Sequence, residues 1–326
     1  MITYRESRNH AELPRSVTRL GLVLLTILAV LGSTADAACN MQLDNIGNVS
    51  FAGGSGSGYD VFDTGAYPQA VPVTISNKKG ACSYFLTFSG GQAGSYTRQM
   101  RDGGNILQYQ LFDTASRSNI LKDLPSATAG EILHGTLNGR EEPQHDFYLV
   151  IPQQQVVPPG VYRDTITVTL YEGSLSSYTE VRSRNVRIQA AVGEQIDVSV
   201  TDNGMPFDAG RTTRVIDFGI LTEGATSIFD MLVRSNAGYS VMLESQNGGA
   251  MKILDPTDPS IVPYVFQVNG AAINLSGDNP VTVSSSTART PPGGITHDMN
   301  VTVGAIGNAT AGDYEDNITI TVIANP

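Results

Sequence analysis

The stretch that decides the fold is GDYEDNITITVIANP, residues 312–326. From Ile318 onward it alternates strictly, with Ile318, Ile320 and Val322 on one face and threonines on the other. A period of two residues is typical of a β-strand that is buried on one side only. The sequence therefore predicts a half-buried strand here.

The same pattern occurs earlier, as GVYRDTITVTL at residues 160–170. The two copies lie 152 residues apart, and two further pairs of similar stretches upstream of them lie 155 residues apart. Matched spacings of this kind predict an internal duplication, and so two domains at 38–192 and 193–326. The matched tyrosines are Tyr162 and Tyr314, Tyr84 and Tyr239, and Tyr109 and Tyr264.

Composition favours an all-β chain. The 326 residues include 34 glycines and 16 prolines but no tryptophan, and short alternating runs are separated by turn residues. Few segments have the period of an amphipathic helix. Many short strands joined by turns are typical of β-sandwiches, so we expect two of them.

Residues 1–37 have the three parts of a secretory signal peptide. A leader with four arginines precedes an apolar run at 20–31, and Ala35 and Ala37 supply the small-x-small cleavage pattern. The apolar run is too short to span a bilayer. We expect cleavage after Ala37 and export of the mature chain. The alternative is a lipidated Cys39, which is disfavoured because Asp36 stands where an aliphatic residue is needed.

Cys39 and Cys82 are the two cysteines of the chain. In an oxidising compartment two cysteines usually pair, which predicts a disulfide in the first domain. After cleavage at Ala37 this bond would hold the chain close to its new N-terminus. The mature chain would then have no free N-terminal arm.

The two copies of the repeat differ in their continuation. The first continues into a second alternating strand, NVRIQAAV at 185–192, whereas the second ends four residues after Val322. We therefore expect the second sandwich to lack its final strand and to expose a groove. An unpaired strand edge attracts another chain, so a partner strand is expected to fill the groove. The residues expected to line it are Ile196, Val198, Val200, Ile318, Ile320 and Val322.

Two alternatives to the partner strand remain open. The topology of the second domain can have one strand fewer, or an earlier segment of the same chain can fill the slot.

Several segments resemble the spore coat protein U domain family. These are YQLFD at 109–113, DFYLVIPQQQ at 146–155 and GVYRDTITVTLYEG at 160–173, with a weaker copy in AGDYEDNITITV at 311–322. The resemblance implies immunoglobulin-like sandwiches in which a pilin domain lacks its last strand. Two such domains in tandem resemble the tip adhesins of Csu-type archaic chaperone–usher pili.

For such a subunit the resemblance implies three protein partners. A periplasmic chaperone fills the groove first, an outer-membrane usher assembles the fibre, and the adjacent pilin subunit then donates a strand. It further implies a place at the pilus tip on the cell surface, and attachment to abiotic or host surfaces that promotes biofilm.

Surface binding by apolar loops is the part of this resemblance that concerns the first domain. The loops would lie at its far end, or alternatively their side chains tuck down onto the sandwich edge. The candidate residues are Tyr59, Val61, Phe62, Tyr67, Pro68, Ile120, Leu121 and Leu124.

Nothing in the sequence points to catalysis, a metal or another cofactor. His134, His145 and His297 lack the spacing of metal ligands, and the DPTDP segment at 255–259 lacks the alternate ligands of a calcium loop. A formal net charge of −11 does not suit nucleic acid binding. Two rival functions remain: a structural spore-coat or fibre subunit without receptor binding, and a secreted carbohydrate-binding module.

Overall fold

The computed structural model describes residues 39–44 and 46–325. The predicted signal peptide lies outside the described residues. Within them every long element is a β-strand, and the only helices there are two 3-10 turns at Gly91–Ala93 and Ala129–Glu131. None of the helices described is long and apolar enough to cross a membrane. The predicted all-β class is confirmed.

The first half of the chain, residues 39–192, forms two sheets that enclose one core. One sheet has the order β1-β3-β9-β7, and the other has β2-β11-β10-β4-β8 with β5 and β6 attached. Alternate residues of both sheets meet in the core, as Phe147 of β9 does with Phe88 of β4. The strands are β1 Met41–Leu43, β2 Val49–Phe51, β3 Gln69–Asn77, β4 Ala81–Phe88, β5 Gln99–Asp102, β6 Asn105–Gln108, β7 Gln110–Phe112, β8 Leu133–Asn138, β9 Gln144–Val150, β10 Gly160–Ser174 and β11 Ser177–Val192.

The second half, residues 196–325, repeats this arrangement. One sheet has the order β12-β13-β19-β16-β15-β20 with β17 attached, and the other has β18-β14-β21. The strands are β12 Ile196–Asp202, β13 Thr226–Ser235, β14 Gly238–Ser245, β15 Ala250–Ile253, β16 Ile261–Val268, β17 Ala271–Ile273, β18 Val281–Ser286, β19 Ile295–Val303, β20 Tyr314–Glu315 and β21 Ile318–Asn325.

The two halves have separate cores, and among the described residues no strand of one half pairs with a strand of the other. We propose that they are the two domains expected from the repeat, with the boundary at Gly193. They touch directly after that residue, where the backbone N–H of Val61 donates to the Gln195 side chain at 2.7 Å.

The duplication extends to strand register. Leu170 of β10 lies opposite Leu86 of β4, and the matching Val322 of β21 lies opposite Val241 of β14. Because the register agrees, β21 occupies in the second half the place that β10 occupies in the first.

The repeated tyrosines and aspartates make the same bonds in both halves. The Tyr162 hydroxyl donates to the carbonyl of Pro158, and the Tyr314 hydroxyl donates to that of Thr310, which is the tyrosine corner of sandwich folds. A second pair joins Tyr109 to Asp164 at 2.6 Å and Tyr264 to Asp316 at 2.5 Å. These bonds explain why the same residue types recur at these positions.

Cys39 and Cys82 form the predicted disulfide, with their Cα atoms 6.2 Å apart and a separation of 43 positions in sequence. We expect its reduction to lower the free energy of unfolding of the first half by up to about 4 kcal/mol, because the unfolded chain regains the entropy of an open loop. Urea unfolding with and without reductant measures this change.

The second half contains no cysteine, so its transition should not move with reductant. A variant with Cys39→Ala and Cys82→Ala is the control, since it should unfold identically under both conditions. Equal shifts in both halves would contradict the expectation.

Candidate strand-binding groove

The outer edge of β21 pairs with no strand in the described part of the chain. All eight residues of β21 lie opposite residues of β14 on its inner edge, and the strand ends the order of its sheet. Alternate N–H and C=O groups of an edge strand point away from the sheet. The backbone groups on this edge are therefore free to pair with a further strand.

Beside this edge an open groove of about 830 Å³ leads into the second core. Its floor consists of core-facing side chains of β13, β16 and β19 and is therefore apolar. Ile318 and Ile320 of β21 form one wall, as expected from the sequence. The apolar residues that line it include Val200, Ile216, Phe218, Phe229, Phe266, Val301, Ile318 and Ile320.

The opposite wall differs from the expected one. Val200 lines the groove, but Ile196 and Val198 do not, although both are half-buried against the same core. After β12 the chain turns back, with the N–H of Val200 donating to the carbonyl of Arg211 at 2.7 Å. Residues of the following segment, 212–218, line the groove on this side.

Val322 also lies outside the lining of the groove. It is half-buried against the second core and sits opposite Val241. Ile318 and Ile320, nearer the start of β21, are therefore the two residues of this strand that the groove exposes.

Segment 212–218 has the position in its half that β2 has in the first. Each follows the first strand of its half and precedes the next, β3 or β13. Their apolar residues match as Val49-Ser-Phe51 and Ile216-Asp-Phe218. β2 is a strand because it pairs with β11 in parallel, whereas 212–218 forms no strand. Sequence reasoning missed this wall. The short match between residues 49–51 and 216–218 is the signal that could have indicated it.

Two strongly exposed aliphatic side chains lie in this segment and just after it. The side chains of Val215 and Ile220 are 90% and 93% exposed, which is unusual for aliphatic residues in a folded chain. Neighbouring Ile216 and Phe218 are only half-buried.

The pair Tyr264–Asp316 lies along the groove, and its surroundings differ from those of its copy. Asp164 and Tyr109 are 0% and 1% exposed, whereas both Tyr264 and Asp316 are half-buried and line the groove. Burial and the hydrogen bond to the Asp316 carboxylate raise the pKa of Tyr264. The pair is therefore buried away from solvent in the first half, whereas in the second half it is accessible from the groove.

The apolar loop around Tyr59 is not at the far end of the first half, which corrects the expectation. Tyr59 is buried, its hydroxyl donates to the carbonyl of Pro152 at 2.8 Å, and burial raises its pKa to about 12. Val61 is fully buried next to Gln195. The Arg234 guanidinium lies 4.7 Å from the ring centre of Phe62. These residues join the two halves and are not free to meet a surface.

The remaining loop candidates are also largely covered. Leu121 is fully buried and belongs to the first core, and Ile120 and Leu124 are half-buried. Pro68 is half-buried, and only Tyr67 is exposed, at 40%. The side chains tuck onto the sandwich because apolar loop residues gain more free energy in contact with the core than in water.

The far end of the first half is mostly polar. It carries the disulfide and the tip of the β10–β11 hairpin, and Lys78, Lys79 and Arg140 are exposed there. Its exposed aromatic side chain is Tyr178, at 48%, which meets the rings of Phe85 and Tyr171 at 5.8 Å and 5.3 Å. Sequence reasoning missed this aromatic group.

Among the described residues one set of side chains has the spacing of metal ligands, namely Cys39, Cys82 and Glu172. Both cysteines are in the disulfide, so neither offers a thiolate. The set is therefore not a metal centre.

Residues 25–169 match the family model of the Spore Coat Protein U domain. Within these residues the chain is similar to that family. The matched family is one of coat proteins and not of enzymes, as expected. The match ends at Thr169, within β10, so β11 and the whole second half lie beyond it. The weaker copy in the second half remains a prediction.

No curated protein matches the sequence. Among solved structures, the chain is similar to the CsuC–CsuE chaperone–tip adhesion subunit complex of the archaic Csu pili of Acinetobacter baumannii. The identity is 12%, the coverage is 87% of this chain and 99% of that chain, and the TM-score is 0.44.

Two further structures have lower TM-scores. The CfaE adhesive subunit of CFA/I fimbria of enterotoxigenic Escherichia coli is 11% identical, with 87% of this chain and 94% of that chain covered and a TM-score of 0.33. The CupB6 tip adhesin from Pseudomonas aeruginosa is 12% identical, with the same coverages and TM-score. TM-scores below 0.5 do not establish a common fold.

Proposed function

We propose that this protein is a subunit of a chaperone–usher fibre whose second half accepts a donor strand from another protein. The observation that carries the proposal is the contrast between β10 and β21. Both strands have the same register on their inner neighbours, but β10 is covered on its outer edge by β11. The outer edge of β21 lies beside an apolar groove. Strand addition satisfies the backbone groups and covers the groove at once.

The position that fits best is the tip of the fibre. The first half is closed by its own β11, so it needs no donor. Cys39 is tied to Cys82, so with the expected cleavage after Ala37 the mature chain has no arm with which to donate. A subunit that accepts a strand and does not donate one caps the fibre. The periplasmic chaperone, the usher and the adjacent subunit are then its partners, and the cell surface is its place.

A structural fibre or coat subunit without receptor binding is the second candidate. Burial of Tyr59, Val61 and Leu121 favours it, because these side chains were expected to grip a surface. Attachment of cells that carry fibres with and without this protein distinguishes the two. An adhesin is needed for attachment, whereas a coat subunit is not. In either role the groove binds a strand.

The acceptor role is tested by co-expression and co-purification with the periplasmic chaperone of the same fibre system. We expect Ile320→Asp to abolish the complex, because it places a charge in the wall of the groove where no partner can pair with it. Thr321→Asp is the matched control, since the Thr321 side chain is exposed on the other face of β21. Equal recovery of both variants with the chaperone would refute the proposal.

A further inference from the structure

A second cleft, separate from the groove, opens where the two halves of the chain meet. Its volume is about 810 Å³, and none of the described residues lines both the cleft and the groove. The loop at 60–64 of the first half forms one side of it. Strands β12 and β13 and the loop at 205–211 of the second half form the rest. A cleft of this size suits a small ligand.

The floor of the cleft is the outer face of β12. Val198 and Val200 pack against the second core, so Ser199 and Thr201 point to the opposite face. Both are nevertheless buried. The Ser199 hydroxyl accepts from the N–H of Asp208 at 3.1 Å, so the loop at 205–211 lies over this face. The burial of Thr201 therefore comes from the walls of the cleft and not from the core.

Two buried polar atoms of the residues that line this cleft have no hydrogen-bond partner. In the described part of the chain three buried side-chain nitrogen or oxygen atoms lack a partner, and two of them are Thr201 Oγ1 and Arg234 Nε. Thr201 is only 2% exposed. Buried polar groups in native proteins are paired, so two unpaired ones in one cleft mark a place where a ligand can supply the partner.

Arg234 is fixed by its neighbours, so its free N–H has a defined direction. Its Nη2 donates to Asp197 at 2.8 Å. The guanidinium also lies 3.7 Å from the ring centre of Phe207 and 4.7 Å from that of Phe62. Phe62 belongs to the first half and Phe207 to the second. The arginine is therefore held between the halves without a ligand, and Nε is available to bind one.

The charges of the cleft exclude two classes of ligand. Five aspartates and two arginines line it, an excess of three negative charges. An anionic ligand would be repelled, and an ammonium group could accept no hydrogen bond from the Nε–H of Arg234. A hydroxyl group meets both demands, because it accepts from this N–H and donates to a carboxylate. The C–H groups of a sugar ring would also find apolar partners, namely Met205, Pro206 and Ala209.

Asp60 offers a carboxylate oxygen of the kind that a sugar hydroxyl needs. Its Oδ1 accepts from the N–H groups of Phe62 and Asp63 at 2.8 Å and 3.2 Å. Among the described residues no donor reaches its Oδ2. Asp60 stands on the first-half side of the cleft, opposite Thr201 and Arg234 on the second-half side.

We propose that the cleft between the halves binds a neutral saccharide. The Thr201 hydroxyl and the Arg234 Nε–H bond to sugar hydroxyls at the floor, and Asp60 accepts from another sugar hydroxyl on the first-half side. The ligand thus contacts both halves at once. Because the cleft and the strand-binding groove are separate sites, saccharide binding does not depend on the acceptor role proposed above.

An array of neutral oligosaccharides that end in glucose, galactose, mannose or N-acetylglucosamine tests this on the purified full chain. We expect binding to at least one of these four groups. Its sialylated counterpart should bind at least about tenfold more weakly, because a carboxylate would enter an acidic cleft. Thr201→Val should weaken binding of the neutral sugar about tenfold, because a sugar hydroxyl loses its partner. This substitution removes no hydrogen bond within the described protein, so the fold should persist.

Thr296→Val is the matched control. Thr296 is an exposed threonine on the same face of the same sheet, outside the cleft, so its substitution should leave sugar binding unchanged. Three results would overturn the proposal: binding to none of the neutral sugars, equal affinity of the Thr201→Val variant and the unsubstituted chain, and an equal loss with Thr296→Val. A melting temperature raised by spermidine and by no sugar would assign the cleft to cations instead.

Discussion

A chain extended after Pro326 by a copy of residues 175–192 should unfold in its second half about 20 °C higher than the unextended chain. The repeat places Pro326 at the position of Ser174, so the added segment would have the same connection to β21 that β11 has to β10. No separate linker is needed. The extension would close the groove within one molecule.

The size of the shift follows from the apolar surface that is covered. Filling the groove buries about four aliphatic or aromatic side chains more deeply, at roughly 1.5–3 kcal/mol for each that becomes fully buried. For a domain of this size, each 1 kcal/mol moves the melting temperature by roughly 2–8 °C. Differential scanning calorimetry resolves the second transition, and the disulfide-bonded first half serves as the internal reference.

The control for this extension keeps its length and changes only its buried face. Aspartate replaces the residues that correspond to Val186 and Ile188, so the segment remains present but cannot enter the groove. We expect no increase in melting temperature with this control. A similar increase for both extensions would mean that the added length, and not the filled groove, stabilises the domain.

Substituting the buried aspartate of the first half should have the second-largest effect. We expect Asp164→Ala to lower the free energy of unfolding by about 4 kcal/mol, because three donors lose their acceptor at roughly 1–3 kcal/mol each. These are the buried Tyr109 hydroxyl at 2.6 Å and the part-buried N–H groups of Gln92 at 2.9 Å and Thr165 at 2.7 Å. Water cannot replace the carboxylate, since Asp164 is fully buried. Chemical denaturation of the first half measures the loss.

Asp316→Ala is the matched substitution in the second half. Asp316 accepts from the hydroxyls of Tyr264 and Ser245 and from the N–H of Asn247, but it is half-buried beside the groove. Water can reach those donors, so we expect a loss of about 1 kcal/mol in the unextended chain. In the extended chain, the loss should approach that of Asp164→Ala. Equal losses with and without the extension would contradict the covering role of the donor.

Much of this architecture is readable from the sequence because it depends on local periodicity and on repetition. Strict alternation in 318–322 predicts a strand without knowledge of its neighbours. The repeated tyrosines and aspartates predict a duplication, and the structure shows the hydrogen bonds they make in each half. The pairing of Cys39 with Cys82 needed only their number and the expected compartment.

Other features depend on contacts between distant residues, and these needed the tertiary structure. Tyr59 follows a glycine-rich stretch that is typical of an exposed loop. Its hydroxyl nevertheless donates to the carbonyl of Pro152 and accepts from the N–H of Gln155, which are more than ninety residues away. Segment 212–218 forms no strand, so its place in the wall of the groove could not be predicted from a strand pattern. The sequence by itself determined the strands, the repeat and the disulfide, since each follows from local spacing. Only the tertiary structure decided which residues face the groove and which loops are covered, because burial depends on the neighbours that folding brings together.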